Sequence, residues 1–177
     1  MKKKTLALVL ALTLLVAGVV GGTLAWLTDR TAEVKNTFTV GDINIDLTET
    51  TADYKMVPGN TIAKDPTVTV KANSEACWLF VKVTESTDLK DFITYAIAEG
   101  WTALSGVDGV YYREVPASAA DQTFSVLAGD AVTVKSDVTR TMLETAKTDA
   151  PTLTFQAYAI QRDHFATADA AWAEVSK

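Results

Sequence analysis

A period-two alternation of apolar and polar residues dominates the chain from Thr37 onward, and it constrains the fold more than any other feature. In residues 42–47 the odd positions are aliphatic and the even positions are polar, as in a strand with one face in water. Residues 77–83 begin apolar on both faces, which predicts a central strand that is covered on both sides. The pattern therefore indicates a protein built mainly from strands.

Eight segments of this kind are predicted to be strands, because turn-forming Gly, Pro, Asn and Asp residues separate them. They are residues 38–47, 67–71, 77–83, 92–98, 110–115, 123–127, 131–135 and 152–161. Short strands with two inner faces to cover predict an all-β, jelly-roll-like antiparallel β-sandwich. Two short helices are expected at residues 137–145 and 167–175, the second behind a Thr167 cap.

The start of the chain carries the pattern of a secretory signal peptide. Three lysines precede an uncharged, mostly apolar run over residues 5–20, and small residues follow. This run has 16 residues, fewer than the roughly 20 that span a bilayer, and the small residues Thr23 and Ala25 suit the pocket of a signal peptidase. We therefore expect a signal helix within residues 1–25 and cleavage between Ala25 and Trp26. The alternative is an uncleaved N-terminal anchor.

Cleavage at this point divides the chain into three parts. It removes residues 1–25 and leaves 152 residues, enough for one domain with a single core. Residues 26–40 are expected to form an N-terminal arm and residues 41–177 the jelly-roll domain. The signal takes away three lysines and no acid, so the net charge moves from −6 to −9. Since no basic stripe remains to neutralise phosphates, a nucleic-acid partner is not expected.

Cysteine and histidine are each present once. Cys77 cannot form an intramolecular disulfide, and a secreted domain of this size without disulfides indicates a Gram-positive-type bacterial surface. Cys77 lies in an apolar strand, where a buried and inert thiol is expected rather than a nucleophile. His164 is expected in an exposed loop, and one histidine is too few for the usual zinc-protease ligand set. We therefore expect no catalytic residue, no metal and no cofactor.

Two groups of charged residues allow more than one interpretation. Asp42 and Asp46 share a face of the first strand with Asn44, so a surface calcium site competes with a solvated strand face, which is favoured. Glu114 follows Arg113 directly, and the two are interpreted as a surface ion pair that contributes little energy.

Five aromatic residues raise the question of a ligand: Trp78, Phe80, Trp101, Tyr111 and Tyr112. Their favoured role is to pack the core of the sandwich. The alternative is a carbohydrate-stacking surface of the kind found in jelly-roll lectin domains. Because adjacent strand residues point to opposite faces, Tyr111 and Tyr112 place one ring on each face.

Several segments resemble the TasA/camelysin family of secreted bacterial proteins. Residues 21–29 read Gly-Gly-Thr-Leu-Ala-Trp-Leu-Thr-Asp and residues 36–45 read Asn-Thr-Phe-Thr-Val-Gly-Asp-Ile-Asn-Ile, and both are similar to the start of that family. Residues 57–60 resemble its loop before the third strand, and residues 153–161 resemble its last core strand. The resemblance is specific over residues 17–47 and covers about half of the chain.

The resemblance implies a jelly-roll domain, secretion, and cleavage of the signal by a signal peptidase of the SipW type. In the TasA branch it also implies biofilm-matrix fibres that form by donor-strand exchange, in which the arm freed by cleavage docks into the next subunit. By this analogy the arm uses Trp26, Leu27, Val34, Phe38 and Val40. This chain is shorter than TasA proper. The camelysin branch is described as metalloprotease, for which a single histidine is a poor fit.

These observations together predict a secreted, non-enzymatic structural subunit of a bacterial extracellular matrix or fibre. Its expected partners are other copies of itself or related matrix subunits, and its only contact with the membrane is through the uncleaved signal. The alternative is a monomeric surface-binding or adhesion module that recognises a glycan or a matrix protein at the cell surface. A camelysin-like protease is the third possibility.

Overall fold

The computed structural model describes residues 42–50 and 55–177. Within them the chain forms ten β-strands and three α-helices. In chain order these are β1 (Ile45–Thr48), β2 (Thr61–Ala63), β3 (Thr67–Val70), β4 (Cys77–Glu85), α1 (Leu89–Phe92), β5 (Ile93–Thr94), β6 (Thr102–Ala103), β7 (Val110–Val115), β8 (Gln122–Ser125), β9 (Ala131–Val134), α2 (Arg140–Ala146), β10 (Leu153–Gln161) and α3 (Ala168–Val175). The predicted signal helix lies outside the described residues.

The strands form three sheets in which every neighbouring pair is antiparallel. The first sheet has the order β1-β3-β8, the second β10-β4-β7-β6 and the third β2-β9-β5. Side chains of the first and second sheets meet in a shared apolar core. The predicted all-β sandwich with short helices is therefore the architecture of this domain.

Strand β4 lies at the centre of the second sheet, between β10 and β7, as its apolar sequence predicts. Its odd-numbered residues, among them Leu79 and Val81, pack with Val68 and Val70 of β3 in the core between the two sheets. Phe80 points the other way and is also fully buried. Burial of each such side chain contributes about 1.5–3 kcal/mol, so β4 anchors two apolar clusters at once.

Helix α3 covers the outer face of the second sheet. It begins where the Thr167 hydroxyl accepts a hydrogen bond from the backbone N–H of Ala170 at 3.3 Å, which confirms the predicted cap. The Trp172 ring lies 5.3 Å from the ring of Phe80 and 5.2 Å from that of Tyr158, measured between centroids. The helix is thus held by aromatic contacts to two neighbouring strands, β4 and β10.

Helix α2 packs against the third sheet in a separate apolar cluster that includes Phe92, Val134 and Ala146. It begins after Thr139, whose hydroxyl accepts from the backbone N–H of Met142 at 3.3 Å. The helix predicted over residues 137–145 is therefore present but starts later, because Thr139 is its cap. Of the helices in the described part of the chain, none is long and apolar enough to cross a membrane.

Short elements differ most from the predicted pattern. The strand predicted over residues 92–98 is reduced to β5, followed by an isolated bridge between Ile97 and Leu127. Strands β2 and β6 are absent from the prediction because two or three residues are too few to show an alternation. Among the described residues of the predicted first strand, only those from Ile45 onward are in β1.

Gly109 provides a test of how the turn before β7 is built. Its φ of +72° is one that L side chains rarely adopt, and an added Cβ would collide with the carbonyl oxygen of Val83. Gly106 has a similar φ of +73°, but a Cβ there would meet no atom within 4 Å. We expect Gly106→Ala to cost about 1 kcal/mol of unfolding free energy and Gly109→Ala about 3 kcal/mol or more. Urea unfolding measures the free energy of unfolding of both variants. Equal losses would contradict the close approach of Gly109 to the Val83 carbonyl.

Candidate functional site

The residues predicted for signal cleavage and for the assembly arm lie outside the described part of the chain. They are Thr23, Ala25, Trp26, Leu27, Val34, Phe38 and Val40. The structure therefore describes the domain that would follow the arm, and it shows the surfaces of that domain.

Cys77 and His164 occupy the environments that the sequence predicts. Cys77 is fully buried in β4, and burial raises the pKa of its thiol to about 11. His164 is exposed in a short 3-10 turn that follows β10. The two side chains lie in different environments, one inside the core and one in solvent. Within the described residues, no three His, Cys, Asp or Glu side chains are close enough to hold a metal ion.

The polar face of the first strand is exposed to solvent, as predicted. The side-chain amide of Asn44 donates to Asp42 at 3.0 Å. The Lys71 ammonium lies 3.8 Å from a carboxylate oxygen of Asp46 and 3.7 Å from one of Asp121. These carboxylates thus bond with neighbouring side chains on a solvated face.

The predicted surface pair of Arg113 and Glu114 is wrong. Arg113 points into the sandwich, where its guanidinium lies 3.9 Å from the ring centroid of Phe124 and 5.4 Å from that of Trp101. Glu114 points outward and lies 3.2 Å from the guanidinium of Arg162. Adjacent residues of a strand face opposite sides, so the strand prediction itself already separated the two side chains. Burial lowers the pKa of Arg113.

The five aromatic residues do not form one surface. Trp78, Phe80 and Tyr112 pack beneath α3 on the outer face of the second sheet. Trp101 and Tyr111 pack against the core on its inner face. The predicted split of Tyr111 and Tyr112 between the two faces is therefore confirmed, and all five rings contribute to apolar packing.

The longest free strand edge in the described domain belongs to β10. This strand has nine residues, Leu153–Gln161, and within the described residues it pairs only with β4. The other strands at the edges of the three sheets have two to four residues. Strand β1, at the edge of the first sheet, lies against β10. Both sheets therefore end on the same side of the sandwich.

The sequence of β10 carries none of the features that usually protect an edge. It reads Leu-Thr-Phe-Gln-Ala-Tyr-Ala-Ile-Gln and contains no charged residue, proline or glycine. Its inward side chains, including Leu153, Phe155 and Ala157, pack on the core but keep part of their surface exposed. An edge of this kind presents backbone N–H and C=O groups that can pair with another strand.

A groove next to the second and third sheets is the other notable surface feature. It consists of two cavities of about 400 and 390 Å³ that share Glu85, Tyr95 and Tyr111 as walls. The hydroxyl of Tyr95 donates a hydrogen bond to the carboxylate of Glu85. Burial, followed by this bond and the negative charge of Glu85, raises the pKa of Tyr95, so its hydroxyl stays protonated at neutral pH. Each cavity is large enough to hold a small ligand.

Comparison of the chain with models of known protein families, with curated proteins and with solved structures finds no match. The β10 edge and the groove are therefore the two features from which a function can be inferred.

The burial of Cys77 predicts its reactivity. Since the thiol is enclosed and its pKa is about 11, we expect iodoacetamide at pH 8 to modify the folded protein at least about a hundredfold more slowly than the protein in urea. Mass spectrometry of the alkylated chain measures both rates. Rapid modification without urea would contradict the enclosed position of Cys77 in β4.

Proposed function

We propose that this protein is a secreted structural subunit of a bacterial extracellular matrix or fibre, with a jelly-roll-like domain, and that it assembles by strand addition. The observation that carries the proposal is the long, uncharged free edge of β10. In the proposed assembly a strand of one copy adds to this edge in the next copy. No catalytic step is part of the proposal.

The backbone of β10 favours such an addition. In an antiparallel ladder, residues along a strand alternate in the side to which their N–H and C=O groups point, so the side of β10 away from β4 offers groups for a further strand. Each net hydrogen bond contributes about 0.5–1.5 kcal/mol. Proteins usually protect long edges with lysine, proline or a bulge, and an unprotected edge of nine residues favours association.

The side chains next to this edge support the same proposal. Leu153, Phe155 and Ala157 are half-buried, and they face the core together with Ile45 and Leu47 of β1. A strand laid along β10 with apolar side chains facing inward would cover their remaining exposed surface. Burial of apolar area contributes about 25 cal/mol per Å². Covering these side chains would therefore stabilise the assembly in addition to the backbone hydrogen bonds.

The predicted arm has the sequence pattern of a strand that could bind there. Val34, Phe38 and Val40 occupy even positions and the odd positions between them are polar, with Asn36 as the one polar residue on the even side. Such a strand gains affinity from its backbone and register from its apolar side chains. The resemblance to the TasA/camelysin family supports the arm as the donor. The uncleaved signal would then hold the arm back until export, and cleavage after Ala25 by a SipW-type peptidase would release it outside the cell.

Lysine substitutions on β10 test the edge directly. Thr154 and Gln156 are exposed, so we expect Thr154→Lys/Gln156→Lys to leave the fold intact and to raise the concentration needed for assembly at least about tenfold, because a protected edge pairs poorly. Light scattering of the purified protein against concentration is the measurement. Thr102→Lys/Thr123→Lys places the same charge on the exposed positions of β6 and β8 and should assemble normally.

The same assay separates the edge from its donor. A form of the exported protein that lacks residues 26–40 keeps β10 and should remain monomeric, and N-terminal sequencing of the intact exported protein should begin at Trp26. Unchanged assembly of the shortened form would reject the arm as donor. Equal assembly of the two lysine variants would reject β10 as the acceptor edge.

A further inference from the structure

The groove that contains Tyr95 and Glu85 is lined by residues from several elements. Glu85 ends β4, Tyr95 follows β5, and Tyr111 lies in β7. Gly109 lines the second cavity, where a side chain would collide with the backbone of Val83. The two tyrosines are half-buried, so each ring is packed on one side and still has exposed surface. Amphipathic rings of this kind offer a face for an apolar surface and a hydroxyl for a polar one.

The lysines around this groove differ from the other lysines of the domain. In the described residues, Lys64, Lys71, Lys147 and Lys177 each lie within 4 Å of a carboxylate. Among the residues that the structure describes, no carboxylate forms such an ion pair with four other lysines: Lys55, Lys82, Lys90 and Lys135. Three of these four line the groove: Lys90 and Lys135 the first cavity, and Lys82 the second.

The first cavity holds two lysines and one carboxylate, Glu85, in a chain whose net charge is −6. The Lys135 ammonium donates to the backbone carbonyl of Lys90 at 3.1 Å, which fixes it at the rim of the first cavity. Cations that lack a carboxylate partner can bind an anion through charge-assisted hydrogen bonds. The first cavity therefore has two cations, Lys90 and Lys135, for an anionic group of a ligand.

The groove also has acceptors for hydroxyl groups. One oxygen of Glu85 accepts from Tyr95, which leaves its second oxygen available, and Asp108 lines the second cavity. A ligand with hydroxyls, a flat apolar face and a negative charge would satisfy the carboxylates, the tyrosine rings and the lysines together. A pyranose ring that carries a carboxylate combines these three properties.

We propose that this groove binds an acidic polysaccharide through uronic acid residues. The sugar rings pack on Tyr95 and Tyr111, the carboxylates bind Lys90 and Lys135 of the first cavity, and the hydroxyls donate to Glu85. Nucleic acid fits less well, because three lysines in an acidic protein cannot neutralise a long phosphate backbone. The proposal goes beyond assembly, and the groove-lining residues belong to no part of β10.

Calorimetry with trigalacturonate as the acidic probe and maltotriose as the neutral one tests the proposal. We expect trigalacturonate to bind at least about tenfold more tightly than maltotriose. The variant Lys90→Gln/Lys135→Gln should weaken trigalacturonate binding about tenfold or more. Lys71→Gln/Lys177→Gln removes the same charge at lysines that pair with carboxylates outside the groove and should change it by less than about twofold.

A second readout locates the ligand. In NMR spectra the ring protons of Tyr95 and Tyr111 should shift on addition of trigalacturonate, and those of Tyr158, which packs against Trp172, should not. No binding of trigalacturonate, equal binding of the two sugars, or equal losses in the two double variants would overturn the proposal. The form that lacks residues 26–40 keeps the groove and should bind trigalacturonate like the unaltered protein, so failure of assembly and failure of sugar binding are distinguishable.

Discussion

The burial of β4 on both faces is the constraint on which the rest of the domain depends. Its inner side chains hold the first and second sheets together, and its outer side chains form the floor on which α3 packs. Strands β10 and β7 flank it, so its backbone is paired on both sides. A strand in this position tolerates no polar residue in its central part, and Leu79, Phe80 and Val81 are all fully buried.

The two surfaces to which we assign function follow from the position of β4. Strand β10 is held along its length by β4 and underneath by α3, so its backbone is extended and firmly placed while its far side has no partner in the described domain. At its C-terminal end β4 leaves the core and its side chains become polar, and there Lys82 and Glu85 line the groove. The same strand thus organises the edge for assembly and one wall of the groove.

The sequence alone predicts the parts of the fold that repeat a pattern over many residues. The alternation locates β7 at its observed bounds, and the Thr167 cap locates α3. The same reasoning misplaces Arg113, because it treats neighbours in sequence as neighbours in space although adjacent strand residues face opposite sides. The very short strands β2 and β6 have no pattern of their own and exist because longer strands pair with them.

The functional surfaces are harder to predict than the strands. The sequence shows directly that β10 is uncharged. Its position at the edge of a sheet depends on pairing between residues far apart in the chain, such as Gln161 with Cys77. The groove likewise combines Lys82, Tyr95 and Lys135, which lie far apart in the chain. No local pattern connects these residues, so only the folded domain shows that these lysines and the tyrosine line one groove.

The central claim is that the free edge of β10 pairs with a strand of another copy. Hydrogen exchange of the backbone amides, measured by NMR or mass spectrometry at low and high protein concentration, tests it most directly. The account predicts that amides of Leu153–Gln161 which do not pair with β4 become protected as the protein assembles, while those of β8 exchange at an unchanged rate. Assembly without new protection in β10, or with protection confined to another edge strand, would contradict it.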